Sequence, residues 1–219
     1  MAANNRLLSE PEILQRIFHH IDNKTTDLGD TVWKQPVESY WSIERFEAEI
    51  ALLRRLPIVF CLSAMLPDKG SYIARKAAGT PLLVVRGEDG KVRAFINACR
   101  HRGMQVASDQ GCARSFVCPY HAWNYGLDGQ LRHIPGQAGF PGIAREGNGL
   151  VEIFALERGG LIYVNQSESI DLASIEDIPD FFSDEQIYFD QSKYSDDANW
   201  KLLAETTMEG YHIKSLHKK

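Results

Sequence analysis

Cys99-Arg100-His101-Arg102-Gly103-Met104 and Cys118-Pro119-Tyr120-His121-Ala122-Trp123 are the two stretches that decide how this chain is read. Together they give C-x-H, sixteen intervening residues, then C-x-x-H, so each half brings one thiol and one imidazole onto a tight turn. Two such turns facing each other would enclose a metal centre. Tetrahedral zinc is one reading, because Cys2His2 is a common structural zinc set. Zinc sites usually keep cysteine paired with cysteine and histidine with histidine. The mixed halves here suit a [2Fe–2S] cluster, with two cysteines on one iron and two histidines on the other. Ligand order and softness favour the cluster, and four unrelated Cys and His residues seldom fall at this spacing.

Outward from these loops, residues 58–166 read as short strands and turns. Ile58–Leu62, Ser71–Lys76, Leu82–Arg86, Val92–Asn97, Ser115–Cys118, Leu150–Glu157 and Gly160–Asn165 are β-prone runs. Gly87-Glu88-Asp89-Gly90, Asp128-Gly129 and Arg158-Gly159 fall between such runs as hairpin signals. The pattern predicts an all-β metal domain with both motif loops at hairpin tips, where backbone N–H groups reach cluster sulfurs. Trp123 is expected to pack beside the second loop and keep water away.

Before the strands, Ser9 and Glu12 form a capping box and Pro11 stands in the first turn, which predicts a helix over 9–24. Ile13, Leu14, Ile17, Phe18 and Ile21 give it one apolar face. His19 and His20 are adjacent, point in different directions and read as a solvated face. After an irregular stretch, 25–39, a second helix is predicted from about Ser42 to Arg55, ended by Pro57. Ser167 to Asp190 is acidic, with Asp171, Glu176, Asp177, Asp180, Asp184, Glu185 and Asp190 and no basic residue. It reads as a connector, with a docking patch for a basic electron donor as the alternative.

The composition sets bounds. With 44% apolar and 24% charged residues, the 219-residue chain reads as soluble and globular. A net charge of −5 without a basic stripe gives no reason to expect nucleic acid. No run approaches the roughly 18 apolar residues of a bilayer span, and Met1–Arg6 lacks the apolar core of a signal peptide. With Cys99 and Cys118 assigned to the cluster, Cys61 and Cys112 remain and imply no disulfide framework; Cys61, between Phe60 and Leu62, reads as a small core residue. The expected setting is the cytoplasm, with no membrane partner.

A second group of chemistry-bearing residues lies near the C-terminal end: Asn199-Trp200-Lys201, Glu205, Glu209, Tyr211, His212 and His217. At about 100° per residue, five residues turn a helix by about 500°, which leaves His212 and His217 about 140° apart. An undistorted helix cannot aim both at one ion, so a π-type widening or a break is predicted between Ile213 and Leu216. Glu205 is expected to support the helix rather than touch metal.

C-R-H-R-G-M and C-P-Y-H-A-W resemble the two loops of a Rieske domain. Respiratory Rieske proteins add a second cysteine to each loop; Met104 and Tyr120 occupy those places here, so the resemblance is to the ferredoxin and oxygenase branch, with a lower expected potential. N-W-K followed by E-x-x-x-E-G-Y-H-x-x-x-x-H resembles the catalytic domain of Rieske non-haem iron oxygenase α subunits. That resemblance implies Cys99, His101, Cys118 and His121 as [2Fe–2S] ligands, and His212 and His217 as ligands of a mononuclear Fe(II). Glu209 is implied as the electron-transfer bridge to a cluster histidine of the neighbouring subunit.

Two departures matter. Thr206 stands where Asn often follows Glu205, and Glu209 stands where ring-hydroxylating members often carry Asp. The glutamate resembles the branch that oxidises quaternary ammonium compounds. The third, carboxylate ligand of the iron is not assignable in this chain, which covers about the first half of a family α subunit. A fragment of a longer polypeptide is expected, with a naturally short protein as the alternative.

The fold expected is therefore α+β: a helical segment (1–56), an all-β Rieske domain (57–168), then a connector and the incomplete start of a helix-and-sheet catalytic domain (169–219). The activity implied is an oxidoreductase that activates O2 to hydroxylate an aromatic or other small organic substrate, as mono- or dioxygenase. Electrons would come from NAD(P)H through a flavin reductase, a ferredoxin or both. Homo-trimers, with or without a β subunit, are implied by the same resemblance. N-demethylation of a quaternary amine and electron transfer alone are the other readings.

Overall fold

The computed structural model describes residues 8–28, 31–183, 185–192 and 197–217. Met1–Arg6, Asp184, Lys219 and the side chain of Lys214 lie outside the described residues. The chain divides into two compact units, Met1–Ser39 and Tyr40–Lys219.

In the first unit, helix α1 spans Glu10–Asn23. The Ser9 N–H and hydroxyl both donate to Glu12 Oε2, at 2.7 and 2.6 Å, so the start of the helix follows from its capping sequence. Its apolar stripe, Ile13, Leu14, Ile17, Phe18 and Ile21, is exposed. His20 bonds Thr25 and Asp27, each at 2.9 Å, and His19 lies against Asn23, as expected of a solvated face. A four-residue helix, α2 (Glu38–Trp41), begins at the end of the stretch expected to be irregular.

In the second unit, α3 spans Ile43–Arg55, and its Ser42 cap accepts the Arg45 N–H at 3.2 Å. Among the described residues ten strands follow: β1 (Ile58–Leu62), β2 (Ser71–Ala77), β3 (Thr80–Arg86), β4 (Val92–Ile96), β5 (Asp109–Cys112), β6 (Phe116–Val117), β7 (Asn124–Tyr125), β8 (Leu131–His133), β9 (Glu152–Arg158) and β10 (Leu161–Asn165). Seven form one antiparallel sheet in the order β1-β10-β9-β4-β3-β2-β5, and three form a second, β6-β7-β8. After a 3-10 turn at Leu172–Ile175 come α4 (Trp200–Met208) and α5 (Ile213–Leu216). The architecture is α+β, with helices flanking an antiparallel β domain.

Period-two alternation on β3 explains how one sheet serves two cores. Leu82 and Val84 face a core with Phe60, Ile73, Ala94 and Ile162. Leu83 and Val85 face another, with Phe95, Phe116, Trp123 and Tyr125, and this second core also holds Cys99 and Cys118. Burial of the two thiols is therefore a property of the sheet packing rather than of the loops alone. The three hairpin signals all join paired strands: β3 to β4, β7 to β8 and β9 to β10. Gly129 has φ +76, and a Cβ there would lie 2.4 Å from the Phe95 ring, so the Asp-Gly turn admits no larger residue.

One expectation about the loops needs correction. The second motif loop joins β6 to β7, which pair with each other, and is a true hairpin tip. The first runs from β4 to β5, yet β4 pairs with β3 and β9, and β5 with β2. It is a crossover rather than a hairpin. Asn97 takes the place of strand pairing: its Oδ1 accepts the Val106 and Ala107 N–H groups at 2.9 and 3.3 Å, and its Nδ2 donates to Ala107 O at 2.8 Å. That clamp closes the neck of the loop from a fully buried position.

The acidic stretch is pinned rather than loose at its start. Asp171 caps the 3-10 turn, Ile175 is buried with Leu161 and Tyr163, and Arg158 donates to the Ile175 and Glu176 carbonyls. Among the described residues no helix is long and apolar enough to cross a membrane.

Candidate metal centres

Although their sequences differ, the two motif loops share one backbone pattern. In the first, the Cys99 N–H donates to Met104 O and the Gly103 N–H donates to Cys99 O, each at 2.8 Å. In the second, the Cys118 N–H donates to Trp123 O at 2.8 Å and the Ala122 N–H to Cys118 O at 2.9 Å. Gly103 and Ala122 occupy the same place, four residues after the cysteine, and both are left-handed, at φ +72 and +55. The histidines differ by one position within this frame, yet their rings meet at 4.6 Å between centroids. The two imidazoles thus meet and the two thiols are buried in one core, although among the described residues no three His, Cys, Asp or Glu converge on a single ion position.

The chemistry of the four side chains fits an iron–sulfur group. His101 Nδ1 is buried and has no hydrogen-bond partner. A buried polar nitrogen is seldom left unpaired unless something else, such as a metal, takes its lone pair. Burial, then the nearby His121 and Arg102, lower the His101 pKa and keep the ring in its neutral, ligand-competent form. Tyr125 supports the first loop from below: the Arg100 N–H donates to its Oη at 3.0 Å, and its hydroxyl lies 3.1 Å from Cys99 Sγ. Burial, then the contact with Cys99, push the Tyr125 phenol well above its ordinary pKa, so it keeps its proton; toward a metal-bound Cys99 thiolate, which has no proton to give, the hydroxyl would be the donor.

Trp123 is 2% exposed and stacks on His101, with centroids 5.1 Å apart and planes 8° apart. His121 is exposed, with Tyr120 stacked on it at 3.8 Å. Asn97, Tyr125 and Phe140 are supporting residues that sequence reasoning missed. A strand-end Asn and a buried Tyr carry no motif of their own.

Around His212 the local geometry differs from the prediction. α4 ends at Met208, the chain turns extended at Glu209 (φ −120, ψ 142), and α5 restarts at Ile213. Bonding from Leu216 N to His212 O (2.8 Å) and from His217 N to Ile213 O (3.0 Å) is regular, so the expected widening between Ile213 and Leu216 is absent. The histidines instead stand at the two ends of a single turn, His212 as N-cap and His217 as C-cap. His217 leaves helical geometry there (φ −102, ψ 49), so the 140° separation of an ideal helix does not apply. The rings come within 5.4 Å of each other.

Glu209 bonds the His212 ring directly, Oε1 to Nδ1 at 2.5 Å, and its other oxygen accepts the Tyr211 and His212 N–H groups. The hydrogen bond from His212 comes first among the causes that hold the Glu209 carboxyl below its usual pKa. Among the described residues no third His, Cys, Asp or Glu joins a common ligand set. Glu205 is engaged elsewhere, accepting the Tyr40 hydroxyl at 2.7 Å, in keeping with its expected supporting place. N-W-K is a docking device. Asn199 caps α4 and donates to Tyr40 O at 3.0 Å, while Trp200 and Lys201 both reach Glu49 of α3.

Residues 57–154 match the Rieske [2Fe-2S] domain family, and residues 184–219 match the catalytic domain of ring-hydroxylating α subunits. The first match decides between zinc and iron–sulfur: residues 57–154 are those of a Rieske [2Fe–2S] protein. The second narrows the class. The chain belongs to the Rieske non-haem iron oxygenase α subunits, a family of mono- and dioxygenases.

It is 34% identical over 163 residues to the glycine betaine monooxygenase oxygenase subunit of Chromohalobacter salexigens, covering 71% of this chain and 36% of that protein. The carnitine monooxygenase oxygenase subunit of Acinetobacter pittii is 30% identical over 202 residues, covering 86% of this chain and 53% of that protein. The naphthalene 1,2-dioxygenase from Rhodococcus sp. bound to indole superposes with a TM-score of 0.76 at 26% identity, covering 97% of this chain and 50% of that one. The chain thus spans about a third to a half of the length of the curated relatives it matches.

Proposed function

We propose that this chain serves a Rieske oxygenase α subunit as its electron-receiving domain and the start of its oxygen-activating site. Cys99 and Cys118 hold one iron of a [2Fe–2S] cluster, and His101 and His121 hold the other. His212 and His217 hold a mononuclear Fe(II), and Glu209 is the bridge between the two sites. When bound, these groups supply one-electron transfer and O2 activation.

The residues around them have distinct tasks. Tyr125 donates to the Cys99 sulfur, and Trp123 shields His101 from water. His121, exposed beside Tyr120, is the ring through which a neighbouring molecule is reached. Glu209 holds the His212 ring and leaves that carboxylate shared with a histidine of an adjacent subunit, which requires a head-to-tail ring such as a homo-trimer. Electrons originate from NAD(P)H and arrive through a ferredoxin or flavin reductase. We place the protein in the cytoplasm, a setting in which Cys61 and Cys112, the two cysteines outside the cluster motifs, stay as thiols.

The observation that carries the reading is the Glu209–His212 bond at 2.5 Å beside His217, on the same chain as the paired Cys/His loops. Glu209 and the likeness to glycine betaine and carnitine monooxygenase subunits favour a quaternary ammonium substrate over an aromatic one. The test is O2 uptake with a reductase, offering glycine betaine or an aromatic acid in parallel. Uptake with the quaternary amine, abolished in His212→Ala while the Rieske absorption is kept, is expected. Equal uptake by His212→Ala would remove His212 from the mechanism, and uptake with the aromatic acid alone would overturn the substrate class.

A further inference from the structure

His101 and His121 stand in unequal surroundings. His121 is exposed and, besides the His101 ring, meets one ring, Tyr120, stacked on it. His101 is half-buried, its Nδ1 has no hydrogen-bond partner, and besides His121 two further rings wall it. One wall is Trp123, from the second motif. The other is Phe140, from the Pro-Gly-rich connection between β8 and β9, which belongs to neither motif. Its ring stands edge-on to His101 (5.9 Å, 89°) and edge-on to Trp123 (5.9 Å, 81°). Phe140 is half-buried against the core that holds Cys99 and Cys118, although residues 135–139 before it are all exposed. The 3-10 turn Gln137–Gly139, entered through left-handed Gly136 and closed by Phe140 N–H to Gln137 O at 3.0 Å, delivers that one ring inward.

Metal-binding histidines are usually fixed in plane by a hydrogen bond from the ring nitrogen that does not touch the metal. An edge-to-face aromatic contact can fix a ring plane as well, because the positive edge of one ring meets the negative face of another. Resting on the cluster reading given above, we propose that Phe140 is a positioning residue for His101. It clamps the Trp123–His101 stack and keeps water from the histidine-bound side of the cluster. The clamp acts on one histidine only, so rigidity lies at His101 and access at His121.

The test compares Phe140→Ala, Phe140→Leu and Phe140→Tyr with Ile143→Ala. Ile143 packs against the same core and is the control for simple loss of packing. Each purified protein is measured for iron content, for the electron paramagnetic resonance spectrum of the dithionite-reduced form, and for the rate at which a chelator bleaches the visible absorption. Phe140→Ala and Phe140→Leu are expected to keep their iron on isolation, to show altered g-anisotropy and to bleach about tenfold faster. Phe140→Tyr is expected to restore the parent's values, and Ile143→Ala to keep the parent's spectrum.

Indistinguishable spectra and bleaching rates for Phe140→Ala and Ile143→Ala would overturn the proposal. Should Phe140→Ala not fold, Phe140→Leu decides, since it keeps bulk and removes the ring; a parental spectrum from it is equally contrary. A parent without iron and sulfide defeats the cluster reading itself, and the clamp with it, whereas failure of the Phe140 variants alone leaves that reading standing.

Discussion

The Tyr125 hydroxyl accepts from the Arg100 N–H and lies 3.1 Å from the Cys99 sulfur, to which it would donate once Cys99 is a cluster thiolate. A hydrogen bond to a cluster sulfur stabilises the more negative, reduced state, so Tyr125→Phe is expected to lower the reduction potential. It also strands a backbone N–H, at a cost of about 1 kcal/mol. A redox titration followed in the visible absorption checks the first effect; an unchanged midpoint would separate Tyr125 from the cluster. Ala122 makes a second residue-scale case. It holds the left-handed place that Gly103 holds in the partner loop. Ala122→Gly is expected to be tolerated, and Ala122→Val to cost about 1–2 kcal/mol or more, because a branched Cβ crowds that conformation. Thermal melts of the two variants settle it, and equal melting temperatures would deny that the loop needs this backbone.

Elements are held by a few polar contacts whose removal has a calculable sign. Lys201 of α4 meets Glu49 of α3 at 2.7 Å, with side chains 16% and 17% exposed. Glu49→Ala strands the ammonium and is expected to cost about 1.5–3 kcal/mol, against about 0.5 kcal/mol for an exposed pair. Urea unfolding distinguishes the two. Arg86 of β3 reaches across β4 to Glu157 of β9. That bond, first among the causes, holds the Glu157 pKa below its ordinary 4.5. Because the folded-state value is depressed, the stabilisation is complete above the unfolded value and is lost as pH falls through the folded one. Stability of Glu157→Gln is therefore expected to vary less with pH below about 4.5 than that of the parent; parallel acid titrations of the melting temperature would contradict this.

At the same scale, sequence and structure agree where periodicity and turn chemistry are strong. Helices α1 and α3, with their Ser caps, and the longer strands stand where the residues placed them. β7 and β8 are two and three residues long, too short to show alternation. β5 reads Asp-Gln-Gly-Cys, is wholly exposed and owes its state to pairing with β2. Helical arithmetic does not hold between His212 and His217, because both residues are caps and His217 has left helical geometry. Phe140 was invisible for a different reason: its Pro-Gly surroundings announce a loop and say nothing of an inward ring.

Within the unit Tyr40–Lys219, one sheet separates the two larger cores of the described residues, and the core that carries the motif loops also buries both cysteines of the motifs. On the function proposed above, electrons would be received over the β domain and used beside His212 and His217. The most direct test of this account is iron and acid-labile sulfide analysis of anaerobically purified protein, with its reduced-state electron paramagnetic resonance spectrum. About two irons and two sulfides per chain are predicted for the Cys99, His101, Cys118 and His121 centre, with a histidine-ligated cluster spectrum that disappears in His121→Ala. A stoichiometric zinc ion without sulfide, or a spectrum unchanged by His121→Ala, would contradict it.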